Sequence, residues 1–146
     1  MILFLNKLTS GVLPVVLAVL LFSITLVSCS KDELEIQNDF PFEVKVMPVP
    51  QAIANGNTVE IRITIQPTGN YRKVQYFIRY FQFDGKGILR YYNEAPYQLN
   101  DSYRLPTEQF RLYYTSNSTV SQSFDVWISD NFGNEQKLSF DFNSSD

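Results

Sequence analysis

The chain contains no histidine and a single cysteine, Cys29. The first absence removes Ser-His-Asp and Cys-His nucleophilic centres, and the two together remove the usual zinc ligand sets. A lone cysteine also denies the chain any internal disulfide. Basic residues are outnumbered, with 12 Lys and Arg against 15 Asp and Glu, whereas nucleic-acid-binding surfaces show the opposite balance. No segment after the first thirty residues has apolar positions at helical spacing with caps at its ends. Paired carboxylates remain as a route to glycoside hydrolysis. The acidic residues Glu43, Glu60, Asp125 and Asp141, however, fall on the polar faces of strand-like stretches, where plain solvation is expected. Asp130 to Asn134 offers oxygen ligands to calcium but lacks the spaced Asp-x-Asp-x-Asp-Gly loop. As a hairpin turn with Gly133 at positive φ it needs no ion. No catalytic residue, metal or cofactor is therefore assigned.

What is present begins with an address. Lys7 is the only charged residue before Cys29, and the apolar stretch Val15 to Phe22 follows it. A positive start, an apolar middle and a small residue before the cut are the three regions of a secretory signal. A permanent transmembrane helix is the competing reading, since roughly 20 residues span a bilayer. Pro14, Ser23 and Thr25 shorten the apolar core, which favours the signal. Leu26-Val27-Ser28-Cys29 resembles a bacterial lipobox. That resemblance implies that residues 1–28 are removed, that Cys29 is acylated, and that its acyl chains hold the protein to a membrane. Lys31-Asp32-Glu33 resembles the signal that sends Bacteroidetes lipoproteins to the outer face of the outer membrane; a solvated charged linker is the other reading. Residues 29–40 are read as the acylated cysteine and its tether, and residues 30–39 alone reach about 35 Å when extended. An outer-membrane lipid anchor is the expected location, and both a periplasmic and a cell-surface orientation of the domain remain open.

From residue 41 onward the chain reads as strands. Apolar and polar residues alternate from Phe42 to Val46, from Val59 to Ile65 and from Val74 to Phe83. Further strand-like runs are Phe110 to Thr115, Ser123 to Ser129 and Gln136 to Phe142. Turn residues separate them at 54–57, 68–70, 84–87 and 130–134. Residues 88–105 are expected to add a short strand and an irregular connection. Six or seven strands at this spacing predict an all-β, immunoglobulin-like sandwich of about seven strands over residues 41–146, with a small closed barrel as the alternative. Its inner face is expected to hold Val44, Ile61, Ile63, Ile78, Leu112, Val126, Ile128, Leu138 and Phe140.

The unusual composition lies in the aromatics. All nine tyrosines and five of the six arginines fall between residues 71 and 114, and these residue types are enriched at protein interfaces. Period-two alternation turns Val74, Tyr76, Ile78 and Tyr80 inward, so Phe77, Arg79, Phe81 and Phe83 face out. It likewise turns Phe124, Val126 and Ile128 inward and Trp127 outward. In an immunoglobulin-like sandwich these two strands are neighbours. Phe81 and Trp127 are therefore expected on one partner-binding face, unless the tyrosine-rich connection 91–103 folds back over it.

Four segments carry a further resemblance: Ile78-Arg-Tyr-Phe-Gln-Phe-Asp-Gly-Lys-Gly-Ile-Leu89, Phe110-Arg-Leu-Tyr-Tyr-Thr-Ser-Asn-Ser118, Asp130-Asn-Phe-Gly133 and Leu138-Ser-Phe-Asp-Phe-Asn143. Together they resemble the TraQ family, small lipoproteins encoded in the transfer regions of Bacteroidetes conjugative transposons. The resemblance covers roughly residues 41–143, and residues 90–100 match no pattern of it. It implies an immunoglobulin-like fold and a part in conjugative DNA transfer, and it carries no catalytic residues. The partners expected are the membrane, through Cys29, and other proteins of a transfer apparatus. A surface module that binds glycan or another ligand through the same aromatic face is the alternative.

Overall fold

The computed structural model describes residues 41–70 and 73–146. The expected signal segment, Cys29 and the tether lie outside the described residues. The described residues form nine strands: β1 (Phe42–Val46), β2 (Ala52–Ile53), β3 (Thr58–Pro67), β4 (Tyr76–Asp84), β5 (Gly87–Tyr91), β6 (Tyr103–Leu105), β7 (Gln109–Ser116), β8 (Gln122–Asp130) and β9 (Glu135–Ser144). They make two sheets, in the order β1-β3-β7-β5 and β2-β9-β8-β4-β6. With the short β2 and β6 set aside, these are the ABED and GFC sheets of a constant-type immunoglobulin sandwich. The expected fold class is confirmed. Residues 88–105 depart from expectation, because they hold two strands that belong to different sheets.

Alternation explains the layering. β3 buries Val59, Ile61, Ile63 and Ile65, and β4 buries Tyr76, Ile78 and Tyr80. β8 buries Phe124, Val126 and Ile128 against them. Of the residues expected inside, Val44 and Leu138 are only half-buried, while Phe42 on β1 is fully buried. The tyrosines read as an interface signal are largely core: Tyr76, Tyr80, Tyr91, Tyr97 and Tyr114 are all buried. Tyr114 stacks on Phe124 at 4.3 Å and on Phe142 at 5.8 Å between ring centroids.

The tyrosine hydroxyl in this core is fully committed. Tyr114 Oη accepts from Gln82 Nε2 at 2.7 Å and donates to Gln122 Oε1 at 2.8 Å. Gln122 Nε2 in turn donates to Ser116 Oγ at 2.8 Å. The turn between β4 and β5 fits around this group. Gly85 has φ +68, a left-handed conformation that suits glycine. Gly87 lies directly against the Tyr114 ring, where a Cβ would overlap it.

After β5 the chain closes the open side of the sandwich. Tyr97 N donates to Leu89 O on one sheet, and Asn100 N donates to Tyr80 O on the other, at 2.9 and 2.8 Å. Tyr97 stacks on Tyr103 at 4.4 Å, and Tyr103 Oη accepts from Gln98 N at 2.9 Å. Residues 92–102 thus act as a strap across both sheets. The remaining sheet borders are short or interrupted: β2 has two residues, β6 has three, and Pro48 and Pro50 follow β1.

Candidate functional site

The strap resolves where the aromatic face stands. Because residues 92–102 run along the side of the sandwich, Phe81 and Phe83 stay open to solvent, at 38% and 56% exposure. The outer face of the five-stranded sheet can be read in rows across β4, β8 and β9. Phe77, Ser129 and Glu135 form the first row, and Arg79, Trp127 and Lys137 the second. Phe81, Asp125 and Ser139 form the third, and Asp84, Ser123 and Asp141 the fourth. A bulge between Gln82 and Asp84 places Phe83 outside this alternation. Its ring meets Phe81 edge-on at 5.1 Å.

Trp127 is held differently from the phenylalanines. The Arg79 guanidinium lies 4.5 Å from its ring centroid and the Lys137 ammonium 5.8 Å, both within cation–π range. Arg79 is itself positioned by the strap, since Nη1 donates to Asn100 Oδ1 at 2.9 Å. Asn100 adopts φ +66 to make that contact, a conformation asparagine tolerates better than most residues. Nη2 of Arg79 also lies 3.7 Å from Glu135 Oε2. Phe77, Arg79 and Trp127 are therefore half-buried, while Phe81 and Phe83 form the exposed pair. Phe81 and Trp127 sit diagonally in adjacent rows rather than directly opposite one another.

Two acidic residues expected to be simply solvated are not. Asp125 is only 6% exposed, covered by Lys137, whose Nζ lies 2.6 Å from its Oδ2. Burial pushes its carboxyl up, but hydrogen bonds from Lys137 and Ser139 prevail and hold it below the ordinary value of 3.8. On the opposite face of the sandwich, Glu60 accepts from Arg62, from Tyr113 Oη at 2.9 Å and from Arg111 at 3.3 Å. The hydrogen bond from Arg62, then that from Tyr113, lowers its pKa. Cross-strand register brings these partners together, and alternation alone does not reveal it. The outer face of the four-stranded sheet is thus a satisfied polar cluster, whereas the five-stranded sheet carries the exposed aromatics.

Asp125 gives a pH-dependent prediction. A carboxyl depressed in the folded state stabilises above the unfolded pKa and loses that contribution as pH falls through the folded pKa. Asp125→Asn should cost about 1 kcal/mol at neutral pH. The gap to wild type should stay level down to about pH 5 and close below pH 3.8. Urea unfolding of both proteins at pH 7, 5 and 3 measures it, and a gap that widens at pH 3 would contradict the assignment.

The Asp130 to Asn134 turn uses its carboxylate within the turn itself. Oδ1 of Asp130 accepts from Phe132 N and Asn134 N at 2.8 and 2.9 Å, and Oδ2 accepts from Asn134 Nδ2 at 2.8 Å. Asn131 ties the turn to Lys73 and Gln75. Among the described residues, no three His, Cys, Asp or Glu side chains group as metal ligands would. Nor is any helix among them long and apolar enough to cross a membrane.

Comparison with known proteins agrees with this architecture. A family model described as TraQ conjugal transfer protein matches residues 12–145. The crystal structure of a conjugative transposon lipoprotein from Bacteroides eggerthii is 46% identical, with TM-score 0.68 over 72% of this chain and 99% of that one. The solution structure of a lipoprotein from Bacteroides thetaiotaomicron is 46% identical, with TM-score 0.67 over 77% of this chain and 86% of that one. A conjugate transposon protein from Bacteroides vulgatus, also solved in solution, is 48% identical, with TM-score 0.65 and coverages of 77% and 91%. No curated protein matches the chain.

Proposed function

Since the chain belongs to the TraQ conjugal transfer protein family, we propose that it is a lipid-anchored, non-enzymatic accessory of a conjugative-transposon transfer apparatus that works through protein–protein contacts. The observation that carries the reading is the exposed Phe81–Phe83 pair beside the cation-flanked Trp127. Exposed aromatics on a rigid sheet, rimmed by charge, are the usual make-up of a protein-binding surface. Cys29 at the end of a lipobox-like segment, together with relatives described as lipoproteins, supports an acyl anchor. Lys31-Asp32-Glu33 supports the outer membrane as its site. On this reading the acyl chains place the domain, the tether gives it reach, and Phe77, Arg79, Phe81, Phe83 and Trp127 form the face offered to a partner.

The test is complementation of a deletion strain with Phe81→Ser/Phe83→Ser, scoring transfer frequency. Both side chains are exposed, so the domain should fold and accumulate as wild type does. Loss of a two-residue hot spot should lower transfer about tenfold or more. Cys29→Ala should lower it as well and abolish incorporation of labelled fatty acid into the protein. Wild-type transfer by the double serine variant would refute the role given to this face.

A further inference from the structure

The outer face of the five-stranded sheet carries its own complement. In the second row Arg79 and Lys137 bracket Trp127, and in the fourth Asp84 and Asp141 bracket Ser123. The first arrangement is a ring between two cations. The second is a hollow between two carboxylates, because Asp84, Ser123 and Asp141 line a depression of about 580 Å³. Among the described residues the Asp84 carboxylate accepts from Ser123 Oγ alone, at 2.9 Å, and Asp141 has no ion pair. Between them lies the row of Phe81, Asp125 and Ser139, in which Asp125 is shielded by Lys137.

Resting on the reading of this face as a protein-binding surface, we propose that its partner is a second copy of this chain, docked about a two-fold axis that crosses the strands at the Phe81 row. Such an axis reverses the strand direction and keeps the order of the strands, so β4 faces β4 and β9 faces β9. Arg79 then faces the partner's Asp84, and Lys137 faces the partner's Asp141. Trp127 meets the depression at the partner's Ser123, and Phe81 packs on the partner's Phe81. Each contact occurs twice, as a self-complementary interface requires. Opposite charges meet at all four outer positions, which favours this register over a shifted one.

Size sets the strength. The three-strand face of β4, β8 and β9, about 14 Å wide and 25 Å long from the strand spacing and rise, buries roughly 350 Å² per copy. That lies at the weak end of specific interfaces, so free domains should associate only at high concentration. Two copies tethered to one membrane meet at a much higher effective concentration. A tether reaching about 35 Å leaves both free to turn toward each other.

With Cys29 as the only native cysteine, engineered thiols report the geometry directly. Ser139→Cys places one in the axial row; Gln66→Cys, exposed on the other sheet's outer face, is the control. Sheets packed face to face stand about 10 Å apart, too far for a disulfide. Full-length lipoprotein in isolated membranes is therefore treated with a bis-maleimide of similar span. A homodimer about tenfold stronger for Ser139→Cys than for Gln66→Cys is expected, weakened severalfold when Asp141→Lys is added. Equal yields, or a dimer indifferent to Asp141→Lys, would overturn the proposal. A cross-link to a different protein would also overturn it, while leaving the role of the face in the transfer apparatus intact.

Discussion

Gly87→Ala is expected to destabilise the domain by about 3 kcal/mol, far more than the same change at Gly56. The added methyl would fall inside the Tyr114 ring. That ring has nowhere to go: it is fully buried, stacked on Phe124 and Phe142, and fastened at its hydroxyl to Gln82 and Gln122. Accommodation would have to break the stack, break the hydrogen bonds, or pull β5 away from β7. Gly56→Ala is the control, since nothing lies within 4 Å of the new methyl and only the strain of φ +80 remains, about 1 kcal/mol. Urea unfolding should show the midpoint of Gly87→Ala falling with an unchanged slope. A loss below about 1 kcal/mol would mean that the ring yields after all.

Tyr114→Phe should cost about 2 kcal/mol although it keeps the ring. Removing the hydroxyl leaves Gln122 Oε1 without its donor, in a side chain that is only 2% exposed. It also takes the acceptor from Gln82 Nε2, which keeps only the Asp84 carbonyl at 2.9 Å. A buried polar atom stripped of its partner carries its full desolvation cost. For a domain of about 105 residues the melting temperature should fall by roughly 10 °C. The two changes should also couple. Gly87→Ala meets the Tyr114 hydroxyl as well as its ring, so in the double variant the loss should be smaller than the two single losses added together. Simple additivity would show that the clash does not involve the hydroxyl.

These two residues mark where sequence patterns stop being informative. Alternation identifies β3, β4, β8 and β9 and their buried faces, because one face of each strand meets the core and period two is a local property. It also turns Phe81 and Trp127 outward. It does not reveal that Gly87 touches Tyr114, since that contact joins residues far apart in the chain across two strands. Asp125 reads as a solvated carboxylate, yet register with Lys137 buries it. The tyrosines read as a binding signal, yet five of the nine are packed into the core, and only packing distinguishes those uses. β2 and β6 are too short to show any period at all. The Asp84-Gly85-Lys86-Gly87 motif sits in between: it is visible as a turn, but the reason for its second glycine is tertiary.

The sheet borders have a consequence wherever copies of the domain crowd together. An open strand edge is a template on which identical neighbours can polymerise. The free side of β5 is taken up by Tyr97, the side of β4 by Asn100, and prolines follow β1. Strand addition at β4 and β5 therefore meets carbonyls already in use, which leaves β1 as the longest open border among the described residues. A domain with most of its borders occupied would leave contact between neighbouring copies largely to side chains on the sheet faces, where it can remain weak and reversible.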